Sequence, residues 1–143
     1  MAATAALLGT LLCTNADITY YTQQQIFWAN KYEANAAKLG EQQNLEEKYW
    51  DAYDDCYYAE DDKKVKINGS PQANNNEAAA IEYANYKVKN FDEELLDELM
   101  ELDVQYETMK LMYETQLEAL RALQESEKTA TSTAAQDTGL LSS

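Results

Sequence analysis

Histidine is absent from the 143 residues of this chain, and its absence removes several classes of chemistry at once. Histidine is the commonest general base, a frequent ligand of zinc and iron, and the partner of the nucleophile in Ser-His and Cys-His pairs. The Glu-x-x-His element of di-iron bundles cannot form without it either. We therefore predict a chain that is not an enzyme and that uses no cofactor or metal.

Proline and glycine, the residues that most often interrupt regular structure, are also scarce. The chain has one proline, Pro71, and four glycines. With so few breakers, the sequence favours a small number of long helices over many short elements.

Basic residues are few: Lys and Arg number 11 against 26 Asp and Glu, for a formal charge of −15. A charge of this size repels nucleic acid and anionic lipid surfaces. No apolar run reaches the length that a transmembrane helix needs. We therefore expect the partner to be protein, with neither nucleic acid nor a transmembrane segment involved.

Changes in composition divide the chain into five segments. Residues 1–16 form a short apolar segment, and residues 17–62 form a first long helix. Residues 63–75 form a connector, which begins with basic residues, and residues 76–127 form a second long helix. Residues 128–143 are rich in Thr, Ser and Ala without a sustained period, which predicts a flexible, disordered tail.

The second helix carries the more regular apolar stripe. Its positions alternate by four and three residues, the spacing that keeps one face of a helix against a partner helix. We predict that this stripe forms the hairpin seam, with one polar position at Gln116: Leu95, Leu99, Leu102, Tyr106, Met109, Tyr113, Gln116, Leu120 and Leu123.

The first helix repeats this spacing with more polar positions. Asn35, Gln42 and Glu46, close to Gly40, predict a weak or hydrated middle with a kink or a change of partner. The predicted inward positions of this helix are Ile18, Tyr21, Gln25, Trp28, Tyr32, Asn35, Leu39, Gln42, Glu46, Tyr49, Tyr53 and Cys56.

These patterns predict an all-α fold, a long antiparallel helical hairpin that is coiled-coil-like. A short connector between two helices of similar length brings them side by side in opposite directions. Within the connector, Val65 and Ile67 precede the turn signal Asn68-Gly69, which predicts a short β-ribbon or an extended loop.

Aromatic residues are numerous, with eleven tyrosines and two tryptophans. A two-helix hairpin has no third layer to bury the aromatics outside its seam, and such residues are enriched in the buried centres of interfaces. We expect burial between chains, and the alternative is a three-helix arrangement with a folded-back N-terminal segment. The interface candidates are Trp28, Tyr32, Trp50, Tyr53, Tyr57, Tyr58 and Phe91.

Acidic residues cluster on both helices, most densely over residues 92–103. Side chains three or four residues apart share a face and could bind a divalent ion, but an EF-hand spacing is missing, so a hydrated acidic face is the preferred interpretation. Lys63, Lys64 and Lys66 could contact the acidic face of a neighbouring copy or keep the loop hydrated.

The two cysteines, Cys13 and Cys56, are expected to be small buried thiols, with intermolecular pairing as the alternative. The apolar residues of segment 1–16 are not preceded by Lys or Arg, which argues against a conventional secretory signal. The compartment is left open: cytoplasmic, or exported and assembled without such a signal.

In its general architecture the chain resembles subunits of secretion filaments and minor structural proteins of virions. The resemblance rests on size, acidity, two long helices, an apolar N-terminus and a polar tail. It implies a structural subunit that forms a homo-oligomer or docks on a larger complex. The alternative is a monomeric or dimeric adaptor or chaperone that binds an amphipathic or basic partner.

Overall fold

The computed structural model describes residues 2–142 and is mostly helical. Two long helices pack against each other, which confirms the predicted all-α helical hairpin. The elements in chain order are α1 (Ala2–Tyr57), β1 (Lys66–Ile67), β2 (Ser70–Pro71), α2 (Glu77–Lys87) and α3 (Glu93–Ser142).

Helix boundaries differ from the prediction at four places. The apolar segment is continuous with the first helix, because nothing between Ala2 and Asp17 stops a helix, and α1 ends at Tyr57 instead of residue 62. The second predicted helix is divided into α2 and α3. Helix α3 continues through Ser142, so the mobility expected of residues 128–143 stays a prediction.

The chain forms two compact units. The first unit combines Met1–Glu33 with Val104–Ser143, and the second unit is Ala34–Asp103. Each unit contains a stretch of α1 and a stretch of α3.

In the first unit, α1 packs against α3 along one face with alternating three- and four-residue spacing. The ring of Tyr21 lies 5.6 Å from that of Tyr113, and the ring of Trp28 lies 5.9 Å from that of Tyr106. Early residues of α1 therefore meet late residues of α3, which is the antiparallel arrangement. The inward positions of α1 are Leu7, Leu11, Thr14, Ile18, Tyr21, Gln25, Trp28 and Tyr32.

Polar side chains also pair across this seam. The Thr14 hydroxyl donates to Glu127 Oε1 at 2.8 Å, and both residues are buried. The Gln124 amide donates to Asn15 Oδ1 at 2.7 Å. Since buried polar groups are costly unless they are hydrogen-bonded, these pairs select one register of the two helices.

The buried row of α3 departs from the predicted seam at three of its nine positions. Leu99 is buried, and Leu102, Tyr106, Met109, Tyr113 and Leu120 are at least half-buried. Leu95 and Leu123 are 38% and 47% exposed, and Gln116 is exposed too.

The neighbours on the C-terminal side, Leu96, Leu117 and Gln124, lie inward instead. The row shared by both patterns, which includes Leu99 and Tyr106, has leucines on both sides. At Gln124, the inward polar side chain has a partner on α1, because Asn15 accepts its hydrogen bond.

The second unit begins with the polar positions predicted to weaken α1. Helix α1 is continuous through Gly40. Asn35 is buried and its amide donates to the Leu99 carbonyl at 2.9 Å, so a specific hydrogen bond replaces the expected hydration. Further inward positions are Leu39, Gln42, Glu46, Tyr49, Tyr53 and Cys56.

The connector contains a short β-ribbon made of two strands of two residues each, which is the first of the two predicted alternatives. Strands β1 and β2 are antiparallel, and Ile67 pairs with Ser70. The turn residues Asn68 and Gly69 have φ of 49° and 83°. Left-handed backbone at both central residues is what a tight hairpin turn requires and what an Asn-Gly pair tolerates.

Helix α2 is the element that the sequence interpretation did not separate. It begins after Asn76, whose side chain accepts from the Ala79 amide at 2.9 Å. The Asn74 amide donates to the Ala59 carbonyl, beyond the end of α1, at 2.8 Å. Its inner face packs on the end of α1. The resulting core contains Tyr49, Ala52, Cys56, Ala80, Tyr83 and Ala84.

The break between α2 and α3 is held by one glutamine of α1. Gln42 is buried; its Oε1 accepts from the Asp92 amide at 3.1 Å and its Nε2 donates to the Asn90 carbonyl at 3.4 Å. Asp92 caps α3 by accepting from the Leu95 amide at 3.1 Å. Three backbone groups at the break are thus satisfied by side chains: the Asn90 carbonyl and the Asp92 and Leu95 amides.

We expect Leu99→Ala to lower the free energy of unfolding by about 2–4 kcal/mol, because Leu99 is only 4% exposed and its removal leaves a cavity. Urea denaturation followed by circular dichroism measures the change. Leu95→Ala is the matched control, with the same helix-propensity change at an exposed site, and should cost below about 1 kcal/mol. Equal losses would contradict the assigned seam.

Candidate protein-binding groove

A groove of about 380 Å³ opens in the second unit where three elements meet. Helix α1 contributes one wall, α2 the opposite wall, and the break before α3 closes one end. Its lining residues are Glu46, Tyr49, Trp50, Ile81, Asn85, Phe91 and Glu93.

The groove has an aromatic wall. The ring of Tyr49 is buried and lies 5.2 Å from that of Trp50 and 5.1 Å from that of Phe91. The Trp50 ring, 49% exposed, also lies 5.3 Å from that of Tyr53. Tyr49 belongs to the core of the second unit and Phe91 packs against it, whereas Trp50 is partly exposed to solvent.

Two carboxylates complete the lining. Glu46 projects from α1 and Glu93 from the first turn of α3, where negative charge is favourable. Burial, with a further contribution from the Glu93 carboxylate, raises the pKa of the Tyr49 hydroxyl. Among residues 2–142 the one ion pair joins Lys63 to Glu60, so Glu46 and Glu93 have no basic partner there.

The predicted interface aromatics separate into three environments. Trp28 and Tyr32 lie half-buried in the seam of the first unit, where the Lys110 ammonium sits 5.1 Å from the Tyr32 ring. Tyr53, Tyr57 and Phe91 pack against the core of the second unit. Trp50 and Tyr58, at 49% and 71% exposure, are the two that stay largely open.

Much of the expected interchain burial is therefore supplied within the chain. Helix α2 provides the third layer, whereas the alternative considered from the sequence used a folded-back N-terminus. The sequence does contain a signal for this break: Asp92 followed by Glu93 and Glu94 is a typical helix start. Ile81 and Asn85, which line the groove, could be found only after α2 was recognised.

The first unit has exposed apolar side chains of its own. A shallower groove of about 450 Å³ is lined by Trp28, Val104, Gln105, Tyr106, Thr108 and Met109. Tyr20 and Phe27 on α1, and Val104 and Leu111 on α3, are exposed pairs seven residues apart. Because seven residues are nearly two helical turns, each pair lies on one face of its helix.

The cysteines differ in environment, which corrects the expectation that both are buried. Cys56 is completely buried in the core of the second unit, with its Sγ 3.7 Å from the Ala73 carbonyl oxygen. Cys13 is exposed on α1, and both are free thiols. Cys13 lies one residue from the inward position Thr14, which places it about 100° around the helix from that position.

In the part of the chain that the structure describes, no three or more Cys, Asp or Glu side chains converge as a metal site would require. None of the described helices is both long and apolar enough to cross a membrane.

Comparison of the chain with protein-family models, with curated proteins and with solved structures finds no match.

We expect stability to fall at alkaline pH. Burial raises the pKa of the Cys56 thiol and of the Tyr49 and Tyr53 hydroxyls. Below about pH 8 both states keep these protons; as the pH rises toward about 10, the unfolded chain releases them first, and the unfolding free energy decreases.

Urea denaturation at a series of pH values tests this. Cys56→Ala should flatten the decline because it removes the buried thiol. Cys13→Ala, which removes an exposed thiol, should leave the pH dependence unchanged. A Cys56→Ala profile that matches the parent would contradict the assigned cause.

Proposed function

We propose that this chain is a non-enzymatic structural subunit that assembles with other protein, either as a homo-oligomer or on a larger complex. The observation that carries the proposal is the set of large apolar side chains on the outer faces of the first unit. Val104 is 63% exposed and Leu111 50% exposed, one heptad apart on α3. Assignment to a secretion filament or a virion is a finer form of the same proposal.

Rows of this kind suit helix–helix association between chains. Tyr20 and Phe27 on α1 repeat the seven-residue spacing. Side chains seven apart present a continuous stripe to a partner helix, and covering such a stripe removes apolar surface from water. Single exposed apolar residues are ordinary on protein surfaces, so the repeat supplies the support for assembly.

Charge opposes self-association at low ionic strength. Copies that each carry −15 repel one another, and salt screens that repulsion. Assembly of identical chains should therefore strengthen as salt rises, which is opposite to the behaviour of a contact made by attraction between opposite charges.

Light scattering coupled to size-exclusion chromatography, over a range of protein and salt concentrations, tests the proposal. We expect a mass that rises with both concentrations. The double variant Val104→Ser/Leu111→Ser should weaken association by about tenfold or more at unchanged helicity. Gln105→Ser/Gln116→Ser, at exposed positions off that row on the same helix, keeps the charge and is the control. A fixed monomer under all conditions would exclude self-assembly.

A second candidate, an adaptor that binds a basic partner, is favoured by the second unit. Residues 34–103 carry 18 Asp and Glu against seven Lys, and the groove lies within that unit. In this role the chain would act as a monomer or dimer.

A further inference from the structure

The groove of the second unit combines two features that act together on a positive charge. Its wall presents the rings of Tyr49, Trp50 and Phe91, whose faces carry partial negative charge. Its lining includes the carboxylates of Glu46 and Glu93, to which no hydrogen bond or ion pair is assigned among residues 2–142.

Elsewhere in the chain, lysine ammonium groups lie over aromatic rings. The Lys31 ammonium lies 5.3 Å from the Phe27 ring centre and 5.8 Å from that of Tyr106. Lys87 lies 5.9 Å from the Tyr83 ring centre, and Lys89 the same distance from Tyr86. In the described part of the chain, no Lys or Arg is placed over the rings of the groove.

The surrounding charge favours a positively charged occupant. The second unit has 18 acidic against seven basic residues, so its potential attracts cations over a Debye length, about 8–10 Å at moderate salt. A second copy of the chain would bring another −15 with it. The second unit therefore attracts a basic segment of a different protein, whereas two copies of the chain repel each other overall.

We propose that this groove binds a basic segment of another protein by taking one arginine or lysine side chain between the Trp50 ring and the carboxylates of Glu46 and Glu93. The stem of that side chain packs on Trp50 and Ile81, and its charged end pairs with the carboxylates. Arginine fits best, because its planar guanidinium stacks on a ring and bonds a carboxylate at the same time. This inference rests on the proposed role as a protein-binding subunit, and it involves residues of the second unit only.

Binding of a labelled arginine-rich peptide to the full chain, followed by fluorescence anisotropy at moderate salt, tests the proposal. The matched peptide with citrulline in place of arginine keeps the shape and removes the charge. We expect the citrulline peptide to bind at least about tenfold more weakly. Equal binding of the two peptides would show that charge is not recognised and would overturn the proposal.

Two pairs of variants locate the binding. Glu46→Gln/Glu93→Gln should weaken arginine-peptide binding by about fivefold or more, while Glu41→Gln/Glu98→Gln, with the same change of charge at exposed positions, should change it by less than about twofold. Equal effects of the two pairs would mean that the peptide is attracted to the acidic surface in general, and would overturn the assignment of binding to the groove.

The aromatic contribution has its own comparison. Trp50→Ala should weaken binding by about threefold or more, whereas Tyr58→Ala, which removes an exposed ring of the same unit, should leave it within about twofold. Circular dichroism of each variant checks folding. Loss of binding in Tyr58→Ala but not in Trp50→Ala would place the peptide elsewhere.

Light scattering on the same samples separates this inference from self-assembly. A monomer that binds the arginine peptide in the groove would support the inference and exclude self-association. A chain that self-associates but does not bind the peptide would support self-assembly and overturn the inference. A dimer that the peptide dissociates, and that Lys63→Gln/Lys64→Gln also dissociates, would make a second copy the occupant and overturn the choice of a foreign partner.

Discussion

One row of inward-facing side chains on α1 is the constraint on which both units depend. From Leu7 to Cys56 the row alternates by three and four residues, so one face of a single helix is buried in each unit. In the first unit it meets α3 through rings and polar pairs, such as Trp28 with Tyr106 and Thr14 with Glu127. In the second unit the same row meets α2, the connector and the start of α3. A row with so many polar members is poor at driving collapse but good at fixing which residues pair, because each buried polar group needs its own partner.

The polar positions have separate structural tasks. Asn35 bonds a carbonyl of α3, and Gln42 bonds both sides of the break before α3. Without Gln42, the break would leave backbone groups unpaired in a part-buried place. The break in turn directs α2 onto the end of α1 and brings Phe91 against Tyr49. The groove is thus a consequence of the polar middle of α1, and its aromatic wall and carboxylates come together only because two helices are joined there by a short loop.

How far the sequence predicts this arrangement differs from element to element. The inward row of α1 follows from spacing alone, since all twelve predicted positions from Ile18 to Cys56 are at least half-buried. On α3 the choice between Leu95 and Leu96 depends on the partner, because apolar side chains lie on both sides of the Leu99 row. The α2–α3 break lacks proline and glycine, so the Asp92 capping signal competes with strong helix propensity around it. The groove could not be predicted, because Trp50 and Glu93 are far apart in sequence and are joined by an element that had not been recognised.

Nuclear Overhauser contacts from the two tryptophan indoles, recorded on mixed labelled and unlabelled chains, test most directly whether the row of α1 is satisfied within one chain. We expect intrachain contacts from Trp28 to Tyr106 and from Trp50 to Tyr49 and Tyr53. Contacts of Trp28 with Tyr106 that occur only between labelled and unlabelled chains would contradict it, because the α1–α3 seam would then belong to an assembly and not to a single hairpin.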